Sequence, residues 1–143
     1  MLPKKTKYAI KALTLLARNF QENHPVRINE IAEKERIPHK FLEAILLEMR
    51  KQGILGSKMG ANGGYYLLQK PEEIFLSTII RLTGGPIALV PCVSLNFYEP
   101  CAECKTPDLC ALREVMEEVR DASVSILSKT SIADLVAREN KLA

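Results

Sequence analysis

The stretch ILGSKMGANGGYYLLQK, residues 54–70, decides how the first half of the chain is read. Two short extended segments flank a turn that carries Gly60, Asn62, Gly63 and Gly64. Glycine tolerates positive φ at such a tip and lets backbone N–H groups come close to a phosphate. Beyond the turn, Tyr65, Leu67 and Leu68 are expected to return the chain to the core. The glycines lack the spacing and the Lys-Ser/Thr ending of a nucleotide-binding phosphate loop, which argues against that use.

What precedes the hairpin gives it meaning. Over residues 6–20, Ala9, Ala12, Leu13, Leu16 and Phe20 fall at i, i+3, i+4, i+7 and i+11, one apolar stripe of an α-helix, with Lys7, Lys11 and Arg18 off it. The segment QENHPV interrupts the pattern, because Pro25 disfavours helical geometry at His24, which is read as a loop residue. A second helix over 28–35 is expected to bury Ile28, Ile31 and Ala32. After a short break at Arg36-Ile37, Pro38 suits the first turn of a third helix, where its missing N–H has no intrahelical partner. That helix runs to Gln52 with Leu42, Ile45, Leu46 and Met49 as its core face, and Gly53 stops it. Two helices joined by so short a turn make a helix-turn-helix, whose second helix can enter a major groove. Three helices alone would also fit a plain bundle. The hairpin tips the reading to a mainly α fold with a small β-wing, a winged helix-turn-helix over residues 1–86.

Charge divides the chain at nearly the same place. Residues 1–70 carry nine Lys and four Arg against six Glu, a formal +7, and residues 71–143 carry three Lys and four Arg against eight Glu and three Asp, a formal −4. The basic half suits a polyanion, and with a helix-turn-helix the partner expected is double-stranded DNA. His39 and Lys40, at the exposed start of the third helix, are the candidates for groove contacts. Glu43, one turn later, could accept from a cytosine amino group, or be an ordinary solvated helix charge. Lys4, Lys5, Lys7, Arg50, Lys51 and Lys58 are candidates for phosphates, joined by the turn residues Gly60, Asn62 and Gly63. Such contacts fix position without carrying sequence information.

The 143 residues, 47% hydrophobic and 26% charged, suit a folded domain and exclude a collagen-like or wholly disordered chain. No apolar run reaches the roughly 18 residues of a membrane span. The start MLPKKTKYAIK lacks the pattern of a secretory signal, so a cytoplasmic location without a membrane partner is expected. No Ser/His/Asp or Cys/His set, phosphate loop or evident pair of carboxylates argues for an enzyme.

All four cysteines fall in the acidic half, as Cys92, Cys101, Cys104 and Cys110, a C-x8-C-x2-C-x5-C pattern. They lie in a stretch where neither helical nor strand periodicity persists and Pro91, Pro100 and Pro107 break it repeatedly. Long loops of this kind are often functional. The C-x2-C pair can turn two thiolates onto one centre, and Cys110 can reach the same place from the start of the next helix. Disulfides do not suit a reducing cytosol. Zinc is chemically reasonable, although structural zinc sites usually have two short paired spacings. An iron–sulfur cluster uses the same thiolates and tolerates irregular spacing. From Leu109 helical periodicity resumes, with Leu112, Val115, Met116, Val119, Ala122 and Ile126 on one face. Its stripe could be intramolecular core, but at about 30 Å for roughly 20 residues the helix is long enough for a subunit seam, so a homodimer through it is expected. Ser131, followed by Ile132, Leu135 and Val136, starts a last helix expected to pack on the long one. Residues 87–143 are thus read as a cysteine-containing sensor loop and dimerisation helix.

Taken together, Pro38-His39-Lys40-Phe41-Leu42-Glu43, the Met49-Arg50-x2-Gly53-Ile54-Leu55 run and Gly60-x2-Gly63-Gly64-Tyr65 resemble the bacterial Rrf-two family of winged-helix regulators, the group of IscR, NsrR and CymR. The similarity continues through Ile79-Ile80-Arg81-Leu82-Thr83-Gly84-Gly85-Pro86 and into Cys104-x5-Cys110 before a long helix, so it covers essentially the whole chain. It implies a transcriptional regulator that binds palindromic DNA as a homodimer and senses iron–sulfur, redox or nitric-oxide status. It places a two-iron or four-iron sulfur cluster above zinc as the cofactor. Cys104 and Cys110 correspond to the family's second and third cysteines, and either Cys92 or Cys101 to the first. Two departures matter. Met59 replaces a frequent wing arginine, with Lys58 adjacent, and Arg113 stands where IscR-like members use a ligating histidine. The resemblance leaves two ligand sets open: four cysteines, or three with an oxygen from Glu103, Asp108 or a partner subunit. It also leaves open a cluster-free thiol regulator of sulfur metabolism, as in CymR-like members. An electron carrier or assembly scaffold would not need the basic winged helix. An RNA-binding or protein-binding winged helix would lack a salt-dependent duplex complex.

Overall fold

Six α-helices and one β-hairpin make up the described residues, 2–20 and 24–143, of the computed structural model. The first helix, α1 (Lys4–Arg18), lies at the centre, with four other helices and the hairpin in contact with it. Its buried stripe is therefore wider than an amphipathic surface helix needs, adding Leu15 to the expected Ala9, Ala12, Leu13 and Leu16. Phe20 departs from expectation. The helix ends at Arg18 with Asn19 at the C-cap, so the i+11 position lies beyond it and the ring is 36% exposed. The interruption expected over 21–26 falls partly outside the described residues.

Two helices then make the tight turn. In α2 (Ile28–Glu35) Ile31 is fully buried, and Ile28 and Ala32 pack half-buried at the core's edge. In α3 (His39–Lys51) Leu42, Ile45, Leu46 and Met49 form the expected core face. Pro38 takes the N-cap, and Gly53 ends the helix region at φ +76. Between the helices, Arg36 adopts the left-handed conformation at φ 53, and the Ile37 N–H donates to the Ala32 carbonyl at 3.0 Å. A β-carbon in that region costs about 1 kcal/mol or more, and glycine is the usual residue there. Arg36→Gly is therefore expected to raise stability by about 1 kcal/mol, read from the urea midpoint at unchanged slope.

The wing is a hairpin of β1 (Leu55–Lys58) and β2 (Gly64–Leu67), paired antiparallel with Leu55 opposite Leu67 and Lys58 opposite Gly64. Val26 adds one rung, exchanging N–H···O bonds of 2.8 Å with Tyr65 in both directions. Gly64 is required at this point. At φ +149, a β-carbon on it would stand 2.4 Å from the Val26 carbonyl oxygen. Leu67 faces the core at 5% exposure and Tyr65 is half-buried, as expected. Leu68 is 56% exposed, because consecutive residues of an extended segment face opposite sides and Leu67 holds the inward place.

After a 3-10 turn at Pro71–Glu73, α4 (Leu76–Thr83) packs on α1, and the Thr83 hydroxyl pairs with that of buried Thr6 at 3.0 Å. The long α5 (Ala111–Lys129) has no buried residue. The last helix, α6 (Ile132–Leu142), lies against α1, where packing on α5 was expected. The chain is turned back by a β-bridge of Phe75 with Ser131. The Leu76 N–H donates to the Thr130 carbonyl at 2.9 Å and the Ile132 N–H to the Ile74 carbonyl at 2.8 Å. Ile132 is thereby driven fully into the core, and Arg18 pairs with Glu139 across the two termini.

A capping box opens α6. The Asp134 N–H donates to the Ser131 hydroxyl at 3.1 Å, and the Ser131 N–H to the Asp134 carboxylate at 2.8 Å. That backbone bond, then the Ser131 hydroxyl, holds the Asp134 carboxyl below its ordinary 3.8. A depressed folded value means the stabilisation is present above the unfolded carboxylate range and is lost as pH falls through the folded value. Ser131→Ala is expected to cost about 1 kcal/mol at neutral pH. Its acid unfolding profile should also lose part of its steepness below the ordinary carboxylate value.

Candidate nucleic-acid interface and thiol cavity

Most of the candidate contact residues of the basic half are exposed. His39 and Lys40 open α3 in the solvent, and Glu43 follows one turn on, also exposed. Burial of Leu42, Ile45, Leu46 and Met49 on the opposite stripe leaves these three polar residues no other direction. Arg50 and Lys51 are exposed in the last turn, where they also oppose the negative end of the helix dipole. Lys4 and Lys7 are exposed on α1, and Lys58 on the wing. Lys5 is half-buried and paired with Glu48 of α3 at 2.5 Å. Gly60 and Asn62 are exposed on the turn, but Gly63 is buried and spends its N–H on the Gly60 carbonyl at 3.0 Å.

One residue of this half escapes sequence inspection. Arg27, the N-cap of α2, is exposed and donates to the Ala61 carbonyl in the wing. A lone arginine before a helix has no periodic signature. Only the Val26 rung, a pairing distant in sequence, brings it to the turn.

The second site is built at the start of α5. Cys92 sits in a 3-10 turn, Pro91–Val93, whose neighbours Val93 and Ser94 are buried. Arg120 of α5 donates to the Val93 carbonyl at 2.9 Å, so this turn is fastened to the long helix. The Glu99 N–H returns to the Pro91 carbonyl at 3.3 Å, and the Cys104 N–H to that of Cys101 at 3.2 Å. A second 3-10 turn, Pro107–Leu109, delivers Cys110 as the N-cap of α5, where its Sγ accepts the Arg113 N–H at 3.4 Å.

All four cysteines, as free thiols, line one cavity of about 330 Å³ with Tyr98 and Leu112 among its apolar walls. Cys101 is exposed and the others are half-buried. Arg113 lines it too, its Nη atoms 3.7 Å from Asp108 and 3.4 Å from Glu117, and its Nε buried without a partner. Of the oxygen candidates, the Asp108 side chain is 99% exposed, and the carboxylate lining the cavity is Glu99. Among the described residues no three His, Cys, Asp or Glu side chains already stand in metal-ligating positions. The donor set nevertheless suits a thiophilic group. Four cysteines line one largely apolar chamber, and Arg113, whose Nε is unpartnered, lines it with them and can meet the negative charge that thiolates bring.

The long helix leaves its apolar stripe open. Leu112, Val115, Val119 and Ile126 are 62%, 51%, 36% and 65% exposed. No helix among the described residues is long and apolar enough to cross a membrane.

A helix-turn-helix with a two-stranded wing on its basic half makes this a winged-helix protein of the DNA-binding class. Comparison with known proteins carries the assignment further. Residues 2–138 match the Rrf2 family, described as iron-dependent transcriptional regulators, and the chain belongs to that family. It is therefore a regulator and not an enzyme. It is 38% identical over 145 residues to a putative HTH-type transcriptional regulator, rrf2-like, of Rhodobacter capsulatus, covering 100% of this chain and 97% of that one. Its fold is similar to that of CymR, the global cysteine regulator of B. subtilis. The TM-score is 0.80 at 29% identity, covering 96% of this chain and 97% of that one. It is also similar to IscR of T. potens, with a TM-score of 0.76 at 27% identity over 97% of this chain and 88% of that one.

Proposed function

We propose that this protein is a homodimeric regulator that binds a palindromic DNA site through α3 and the wing, and that the thiol cavity at the head of α5 is its sensor. The observation that carries the reading is the convergence of all four cysteines on one chamber whose wall includes the N-cap of the long helix. Residues 1–86 form the DNA-reading part and residues 87–143 the sensing and pairing part, with α6 returning to α1. His39, Lys40 and Glu43 reach base edges in the major groove, and Lys4, Lys7, Arg50, Lys51 and Lys58 hold phosphates. Lys5 contributes less, because Glu48 already answers its charge. A cytoplasmic location goes with this reading.

Cys92, Cys101, Cys104 and Cys110 are the side chains that would hold an iron–sulfur cluster. Such a group, when bound, supplies a centre sensitive to iron–sulfur, redox or nitric-oxide status. Signal transmission is a matter of the chain's own contacts. Cys92 is joined to α5 through its neighbour Val93, whose carbonyl accepts from Arg120, and Cys110 is the N-cap of the same helix. Drawing the two together fixes the loop against α5 and thereby the angle between paired long helices. Half-sites lie about 34–36 Å apart, so a small rotation moves one recognition helix out of its groove. A tenfold change in affinity needs only about 1.4 kcal/mol of difference between the two states.

A cluster-free thiol regulator is the second reading, supported by the likeness to CymR, the global cysteine regulator of B. subtilis. Zinc held by the same four thiolates is a third. One experiment separates them. Untagged protein prepared anaerobically should show sulfur-to-iron absorption, with iron and acid-labile sulfide in matching amounts. Colourless protein with stoichiometric zinc selects the zinc regulator, and protein free of both metals selects the thiol regulator. Specific, salt-dependent retention of duplex DNA tests the common part of all three.

A further inference from the structure

Met59, in the position where a wing arginine is frequent, is 94% exposed at the outer end of the hairpin. Its thioether offers at most a weak acceptor and no N–H. A cation instead reaches the turn from another element. Arg27, at the start of α2, donates an Nη–H to the Ala61 carbonyl, while its neighbour Val26 is paired in both directions with Tyr65 of β2. Two consecutive residues at the entrance of the helix-turn-helix thus hold both the stem and the turn of the wing. Gly64 permits the approach, since any β-carbon would collide with Val26.

Arg27, Lys58 and Asn62 line an open groove of about 570 Å³ between the start of α2 and the wing. Glu30, the acid on its edge, is neutralised by Lys34 at 2.7 Å, so the positive charge of Arg27 and Lys58 dominates. A guanidinium carries five N–H donors in a rigid fork, and the turn occupies one side of it. The remaining donors suit an oxyanion.

We propose that Arg27 is the wing's working cation: it latches the turn to the start of the helix-turn-helix and, with Lys58, holds a DNA phosphate. The wing then positions the duplex without a minor-groove contact from Met59. This rests on the DNA-binding reading above. Held on the groove wall by the Ala61 carbonyl, Arg27 shares the groove with Lys58, and Met59 beside it has no N–H to offer a base edge. Phosphate contacts of this kind weaken binding to all sequences about equally when lost.

The test uses full-length protein and duplexes that the wild type selects from a random-sequence library, with unrelated duplexes beside them. Affinities are measured over a salt series for wild type, Arg27→Met, Arg27→Lys and Met59→Ala. Arg27→Met is expected to weaken both duplex classes by a similar factor, roughly tenfold, and to lower the salt slope by about one. Arg27→Lys should restore the slope, and Met59→Ala should preserve the ratio between selected and unrelated duplexes. Hydrogen exchange at the amides of 61–65 without DNA should quicken in Arg27→Met, which reports the latch separately. An unchanged slope in Arg27→Met overturns the phosphate contact, unchanged exchange overturns the latch, and a collapsed ratio in Met59→Ala overturns the division of labour. If wild type shows no salt-dependent duplex binding at all, the DNA-binding reading itself falls, and this inference with it.

Discussion

On the proposed pairing through α5, aspartates in place of Val119 and Ile126 are expected to convert the dimer into monomers and to lower affinity for a two-half-site duplex by about 100-fold or more. The two side chains lie on the open face of α5, 36% and 65% exposed, and neither lines the thiol cavity. An exposed apolar stripe on a helix with no buried residue marks an interaction site, because isolated helices do not keep such faces in water at no cost. Two carboxylates on that seam, doubled by a two-fold axis, would be buried without partners, a penalty of several kcal/mol. Monomers would bind each half-site independently and lose the effective concentration that linkage confers. Sedimentation equilibrium gives the mass, and anisotropy on duplexes with one or two half-sites gives the affinity. The monomer should bind a single half-site as the wild type does. A double variant that sediments as a dimer would place the subunit seam elsewhere.

On the proposed iron–sulfur reading, Cys110→Ser is expected to abolish sulfur-to-iron absorption and bring bound iron to background, with the fold intact. The intactness follows from the local geometry. Cys110 is the N-cap of α5 and its sulfur accepts the Arg113 N–H at 3.4 Å, a place where serine is among the favoured residues. The substitution therefore removes a thiolate and keeps the cap. Cys92→Ser and Cys101→Ser, made separately, decide the ligand set: only a true ligand abolishes or reshapes the spectrum. If either leaves it unchanged, four-thiolate ligation is wrong. Far-ultraviolet circular dichroism and the urea midpoint report separately on the fold, where loss of helix in Cys110→Ser would show that the cap argument fails.

The reading head was legible in the sequence because its signals are local. Three-to-four periodicity gave α1, α2 and α3 their faces, and the glycine turn declared the wing. Where the sequence misleads, a distant partner decides. Leu68 and Phe20 carry apolar side chains that periodicity assigns to the core, yet the inward place beside Leu68 is already held by Leu67, and α1 ends before Phe20 is reached. The destination of α6 depends on the bridge between Phe75 and Ser131, which no local pattern announces. The same holds for Arg27. At the second site, spacing alone indicated that the cysteines belong together, and the fold adds their common chamber and the Arg120 fastening. Arg113, read from sequence only as a residue unable to ligate, gains a positive role as an unpartnered donor at the chamber wall.

The way α6 returns to α1 has a mechanical consequence. The excursion that holds the thiols and the long helix leaves the winged-helix core at Thr83 and rejoins it at Thr130 and Ile132, where two backbone hydrogen bonds tie it to Leu76 and Ile74. It is thus a span fixed at both abutments, not a pendant arm. A pendant arm can absorb a displacement at its root by swinging. A fixed span turns the same displacement into torque on its supports, and one of those supports is the first turn of α4, packed directly on α1.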